Sequence, residues 1–227
     1  MRSRLGPLRP RRRARTPADD HETRRRLLET AAELFADRGF DGVTVREICR
    51  AARANVAAVN YHYGDKLGLY AEVVQAAIDA MRETGAAAMQ AEGSPEERLR
   101  TFVRVHLERI VGKAQGSWIH RLMNREMESP TPELDRVVEQ GIRPRIAYLS
   151  GIVAELMGCP ANDDRVARTV GSIQGQCLIY ARSAILSRLM PRWRPTPAAL
   201  AELADHIAEF SIAGIRGLAG RVGASEA

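Results

Sequence analysis

From Glu22 onward, apolar side chains recur at the three- and four-residue spacing of a helix, and nowhere do they alternate with period two for more than a few residues. This rhythm commits the chain to an all-α fold, because each apolar stripe must be buried against another helix. Leu27, Leu28, Ala31, Ala32, Leu34 and Phe35 form the first stripe, which stops at Arg38-Gly39. Thr44 caps a short helix with Val45, Ile48, Cys49 and Ala52 facing inward and Glu47 at the third position of a capping box. Asn55 caps a second short helix running to about Tyr61, and Gly64-Asp65 break it. A long helix over 65–89 follows, with Leu67, Tyr70, Val73, Val74, Ala77, Ile78 and Met81 inward. Further helices are predicted near 95–112, 117–128, 132–157, 163–190 and 197–219, separated by Gly116, SPTP at 129–132, GCP at 158–160 and PRWRPTP at 191–197.

Charge is distributed unevenly over this pattern. Residues 1–26 hold ten Arg against Asp19, Asp20 and Glu22, while the rest of the chain is close to neutral. Residues 1–20 therefore read as a disordered basic arm, and a basic arm on a near-neutral body points to nucleic acid before membrane. No apolar run reaches the roughly 18 residues that span a bilayer. No apolar segment follows the arginines, which argues against a secretory signal. Cys49, Cys159 and Cys177 are odd in number and far apart, so neither a disulfide framework nor structural zinc is expected, and a cytoplasmic location fits. HExxH, GxSxG and P-loop motifs do not occur, so no catalytic residue is assigned and no enzyme activity is expected. His106, His120 and His206 read as surface or satisfied polar residues rather than metal ligands, and neither metal nor cofactor is called for.

Two short helices joined by a tight turn and followed at once by aromatics describe a helix-turn-helix at about 44–63. Ile48, Ala52, Val56 and Val59 can form its inner wedge, leaving Ala57, Ala58 and Asn60 to face outward. Small side chains let such a helix sit deep in a major groove, where Ala touches a thymine methyl and Asn60 hydrogen-bonds a base edge. Tyr61, His62 and Lys66 fall at the groove rim, where their polar ends suit phosphate contacts, while Tyr63 reads as core. Thr44, Arg46 and Asn55, at the starts of the two helices, complete the candidate DNA-contact set.

The marks AAELFADRGFDGVTVREI and then YHYGDK resemble the N-terminal domain of the TetR/AcrR family over Thr23 to Met81. The segments NREMESPTPELDRVVEQGIRP and GQCLIYARSA are similar to the C-terminal half of the CecR-like subgroup. This resemblance implies a DNA-binding domain at 21–81, and an effector-binding and dimerisation domain at 82–227. It also implies a dimer sealed by the last two helices. One departure stands out. The family usually has Gly in the turn between the two short helices, and this chain has Arg53, which a left-handed backbone would strain by roughly 1 kcal/mol.

In the last two helices, Val166, Val170, Ile173, Cys177, Tyr180 and Ala184 form one stripe, with Gly171 and Gly175 on another face that permits close helix approach. Leu200, Leu203, Ile207, Phe210 and Gly214 form a second stripe. Val170, Gly171, Gly175, Leu203, Ile207 and Phe210 are thus the candidate dimer contacts, with a plain intrachain core as the alternative. Trp118, Met123, Arg125, Met127, Tyr148, Gln174, Cys177 and Tyr180 mix apolar surface with polar handles as ligand pockets do, although each singly is ordinary core. The function expected is a ligand-responsive transcriptional regulator, most simply a repressor. It would bind a palindromic operator on double-stranded DNA as a homodimer and be released by a small hydrophobic effector. A constitutive architectural DNA-binding protein and an enzyme on a helix-turn-helix scaffold are the alternatives.

Overall fold

The computed structural model describes residues 17–112, 117–181 and 188–223, and among these it contains helices and no strand. The first sixteen residues of the expected basic arm lie outside the described residues. Pro17 to Asp20 are not part of an arm but the first turn of helix α1 (Pro17–Arg38). Proline's fixed φ suits a helix start, and Asp19 and Asp20 complement the positive end of the helix dipole.

Helices α2 (Val45–Ala51), α3 (Val56–Tyr63) and α4 (Lys66–Met89) follow, close to their sequence-derived limits. Next come α5 (Pro95–Val111) and α6 (Trp118–Glu128). The single helix expected over 132–157 is instead three pieces: a turn of helix α7 (Leu134–Arg136), a π-helical segment Val137–Ile142, and α8 (Arg143–Met157). Two residues explain the wide turns. Pro144 has no N–H for the carbonyl of Gln140, which accepts from Arg82 Nε at 3.1 Å instead. Gly141 packs so closely on α4 that an added Cβ would lie 2.9 Å from Met81 Cε. Helix α9 (Asp164–Ala181) and helix α10 (Pro197–Gly223) complete the chain, and the end of the expected 163–190 helix lies partly outside the described residues.

Two apolar cores result. The first joins Leu27, Ala31 and Phe35 of α1 to Ile48, Val59 and Tyr63, and to Leu69, Tyr70, Val73 and Val74 of α4. Phe35, Phe40 and Tyr70 meet there edge-on or stacked, with centroids 5.0 to 6.1 Å apart. This core does not end at residue 81. Leu122, Met123 and Val137 belong to it, so α6 packs on the N-terminal helices as part of their own interior. The second core gathers α5, α8, α9 and α10 around Leu99, Leu107, Leu149, Ile152, Ile173 and Cys177.

Candidate nucleic-acid interface and ligand cavity

Helix α2 is held at its start by a complete capping box. Glu47 N–H donates to Thr44 Oγ1 at 3.3 Å, and Thr44 N–H donates to Glu47 Oε2 at 2.8 Å. Arg38 reaches across to Glu47 Oε1 at 2.8 Å, and with these bonds the carboxyl is held down to about 2, chiefly by the Thr44 hydroxyl and Arg38. The Thr44 hydroxyl is thereby engaged within the cap, while Arg46 next to it is exposed. The turn after α2 places Arg53 at φ 51°, the left-handed conformation in which glycine is at ease, and Arg53 is exposed just before α3.

Asn55 caps α3 with Oδ1 accepting from Ala57 N–H at 3.0 Å, which leaves its amide NH2 for other contacts. In α3 the outward face is Val56, Ala57, Asn60 and Tyr61, with the Tyr61 side chain 76% exposed. Two expectations about this helix are corrected. Ala58 is buried rather than outward, packed with Val59 and Tyr63 in the first core. Val56, expected in the wedge, is exposed. The reason is helical register: positions 56, 57, 60 and 61 share one face, and 58, 59 and 63 share the opposite one. Tyr63 donates its hydroxyl to the Arg24 carbonyl at 2.7 Å, anchoring α3 on α1. His62 is half-buried with Nε2 unpartnered, and Lys66 rests with Nζ 4.2 Å above the Phe40 ring at the start of α4.

A cavity of about 600 Å³ lies between α4, α5, α6, α8 and α9. Of the expected ligand residues, Met123, Met127 and Gln174 line it. The other five do not. Trp118 packs against the first core, and Cys177 is fully buried in the second, its thiol pushed up to about 12 by burial. Tyr148 tilts against Phe102 with ring centroids 6.2 Å apart, and the Tyr180 ring centroid lies 5.4 Å from that of Trp193. Arg125 points the other way altogether, donating from Nε to the Ala36 carbonyl at 3.0 Å and from Nη2 to that of Asp37. On α6 the cavity face is Ile119, His120, Met123, Asn124 and Met127, so Trp118, Arg125 and Glu126 fall on other faces. Arg109, His106 and Arg145 also line the cavity and were missed. Their signal in the sequence was slight: His106 occupies an inward position in the Leu99, Phe102, Val103, His106, Leu107, Ile110 stripe.

The candidate dimer contacts divide. Val170, Leu203 and Ile207 are buried within the chain, because they lie on the faces of α9 and α10 that turn to α5 and α8. Gly171 and Gly175 are exposed, and a side chain added at either meets nothing within 4 Å. Phe210 is 65% exposed, and Ile179 and Leu218 join it on the open surface, while the exposed Leu178 also lines the cavity.

Residues 95–215, just over half of the chain, match the C-terminal domain of the HTH-type transcriptional dual regulator CecR, and residues 27–73 match the tetR family of bacterial regulatory proteins. The chain belongs to the tetR family. It is a DNA-binding transcriptional regulator with a CecR-like C-terminal domain. It is 28% identical to the dual regulator CecR of Shigella flexneri over 70% of this chain and 75% of that protein. The regulator BetI of Rhizobium meliloti is 25% identical over 72% of this chain and 79% of its own length. The crystal structure of AibR in complex with isovaleryl coenzyme A and operator DNA shares the fold at a TM-score of 0.60 and 23% identity, covering 83% of this chain and 97% of that one. Within the tetR family pattern, α2 and α3 form the helix-turn-helix and α4 connects it to the C-terminal helices.

Proposed function

We propose that this tetR-family regulator is a cytoplasmic, ligand-responsive repressor that binds a palindromic operator as a homodimer and leaves it when a small molecule fills the cavity between α4, α5, α6, α8 and α9. The observation that carries the reading is the double engagement of α6. One face lines the cavity through Ile119, Met123 and Met127, and Arg121 and Arg125 grip α1, with Arg121 Nη2 2.5 Å from Glu33 Oε2 and Arg125 Nε on the Ala36 carbonyl. Helix α4 is also shared, since Ala80, Met81 and Thr84 line the cavity while Leu69, Tyr70, Val73 and Val74 sit in the core of the DNA-binding helices. A ligand that prefers one position of α6 and α4 therefore biases where α3 stands. It does so only by as much as its affinity differs between the two arrangements.

In this reading Val56, Ala57 and Asn60 face the bases, and Tyr61, His62, Lys66, Arg46 and Arg53 lie along the phosphates, with Thr44 and Asn55 setting the two helix starts. The exposed glycine face of α9 and Phe210 of α10 form the dimer contact, which spaces the two recognition helices about one turn of DNA apart. A gel shift of the full chain on its own promoter, with and without a panel of hydrophobic compounds, tests this. A retarded band lost on addition of a compound supports it. A footprint that extends without sequence preference over long DNA and responds to no compound points instead to a constitutive architectural protein.

A further inference from the structure

Inside the cavity wall, two arginines converge on one imidazole. Arg145 Nη2 lies 2.8 Å from His106 Nδ1, and Arg109 Nη2 lies 3.4 Å from the same atom. A guanidinium only donates, so Nδ1 must be the accepting nitrogen and the ring proton sits on Nε2. One lone pair cannot satisfy two guanidinium groups, and His106 Nε2 is itself buried without a hydrogen-bond partner. His106 is 6% exposed. Among the described residues neither arginine forms an ion pair, and burial pushes Arg109 down to about 10 and Arg145 down to about 9, with Arg109 adding to the effect on Arg145. Both remain charged at neutral pH. Glu108 also lines the cavity, but it is exposed and pairs with neither.

Two half-buried positive charges against a buried imidazole and without a counter-charge are costly, and an apolar pair of similar size would serve a plain core better. The rest of the wall is apolar, through Met81, Ile119, Met123, Ile142, Ile146 and Leu178. We infer that the cavity takes an amphiphile with an anionic head, a carboxylate or a phosphate, held between Arg109 and Arg145 with its apolar body along Ile119, Met123, Ile146 and Leu178. His106 acts as a positioning residue that keeps the two guanidinium groups together, with Gln174 facing its ring from the same wall. The inference rests on the ligand-responsive reading and narrows it to one chemical class.

The test uses the full chain and three probes of equal tail length: decanoate, decyl phosphate and decan-1-ol. Calorimetric titration should show at least one anion binding about tenfold or more tightly than the alcohol, as expected for charge-assisted hydrogen bonds in a largely apolar site. Arg145→Met and Arg109→Met should each erase that preference while leaving decan-1-ol binding in place. His106→Phe, which keeps the ring volume and removes the acceptor, should reduce the preference without reversing it. Equal or tighter binding of the alcohol by the unaltered chain overturns the inference whatever the variants do. A preference that survives in Arg145→Met and Arg109→Met overturns the assignment to these residues. A gel shift run in parallel separates the two readings. If decan-1-ol releases the operator as well as the anions do, the regulator reading stands and the anionic-head inference falls. If the anions bind with the arginine dependence but never alter operator occupancy, the inference stands and the release reading falls.

Discussion

The Tyr70 hydroxyl donates to Glu126 Oε2 at 2.5 Å, joining α4 to α6 inside the molecule where Glu126 is 1% exposed. The other carboxylate oxygen accepts from Thr131 N–H and Thr131 Oγ1, each at 2.8 Å. Burial and the Glu126 contact together raise the Tyr70 hydroxyl well above its usual range. The bond therefore links, in one step, a helix of the DNA-binding core to the helix that lines the cavity.

Tyr70→Phe removes a donor from a buried carboxylate and should destabilise the fold by about 1–3 kcal/mol. Urea unfolding measures that cost. The same variant should weaken the coupling between ligand and DNA, so that a compound releasing the operator from the unaltered chain has a smaller effect on the variant. Unfolding midpoints and ligand response both equal to those of the unaltered chain would show that the bond carries neither load.

Base reading should depend on the outward face of α3. Asn60→Ala should cost about 1–3 kcal/mol on the operator and relax discrimination at one position per half-site, with little change on random DNA. Val56→Ala should also weaken the operator complex, whereas Ala58→Ser, at a buried position, should lower stability rather than change base preference. Fluorescence-anisotropy titrations over single-base operator variants separate these outcomes. An altered base preference in Ala58→Ser would overturn the register of α3.

Gly175 offers an unusually clean probe of association. Because an added side chain there meets nothing within 4 Å in the chain itself, Gly175→Leu leaves the protomer's packing intact and raises its helix propensity. Far-UV circular dichroism should be unchanged, while sedimentation should show dimer dissociation raised by about tenfold or more, since the bulky chain separates helices that approach through glycine. A monomeric unaltered chain at micromolar concentration would remove the dimer from the proposed function.

Stability should depend on pH through His106. Burial first, then Arg145 and Arg109, hold its imidazole down to about 3, with Gln174 opposing weakly. His120, across the cavity on α6, is also lowered, by burial and by Arg109. The unfolded chain takes up these protons near 6.5, so below that value the unfolded state binds more protons than the folded one. Stability is full above 6.5 and falls as pH drops toward 3, by up to about 1.4 kcal/mol per unit for one histidine. Keeping the measurement between about pH 5.5 and 7.5 stays above most of the range where Glu47, whose ordinary value is 4.5, contributes. His106→Gln should flatten the slope of unfolding free energy in that window, and an unchanged slope would place the titration elsewhere.

The helical periodicity and the Thr44 and Asn55 caps were legible in the sequence, because each depends on residues within a few positions of one another, whereas the positive φ at Arg53 was only a condition suggested by the family resemblance until the structure placed it. The family was legible for the same reason, since its marks lie in short contiguous runs between Ala31 and Lys66. What faces what was decided only by packing. Ala58 and Val56 exchange roles because the rotation of α3 is set by Tyr63 anchoring on the Arg24 carbonyl, thirty-nine positions away in the chain. Arg125 and Cys177 are excluded from the cavity, and Arg109 and Arg145 admitted to it, by how α5, α6, α8 and α9 turn against one another. The meeting of Arg145 with His106 spans the same separation of thirty-nine residues. A local pattern can state that a helix has an apolar stripe, but several neighbours compete to cover it. Only the packed tertiary structure, where each stripe has found one partner, determines which polar groups remain at the wall of an empty space.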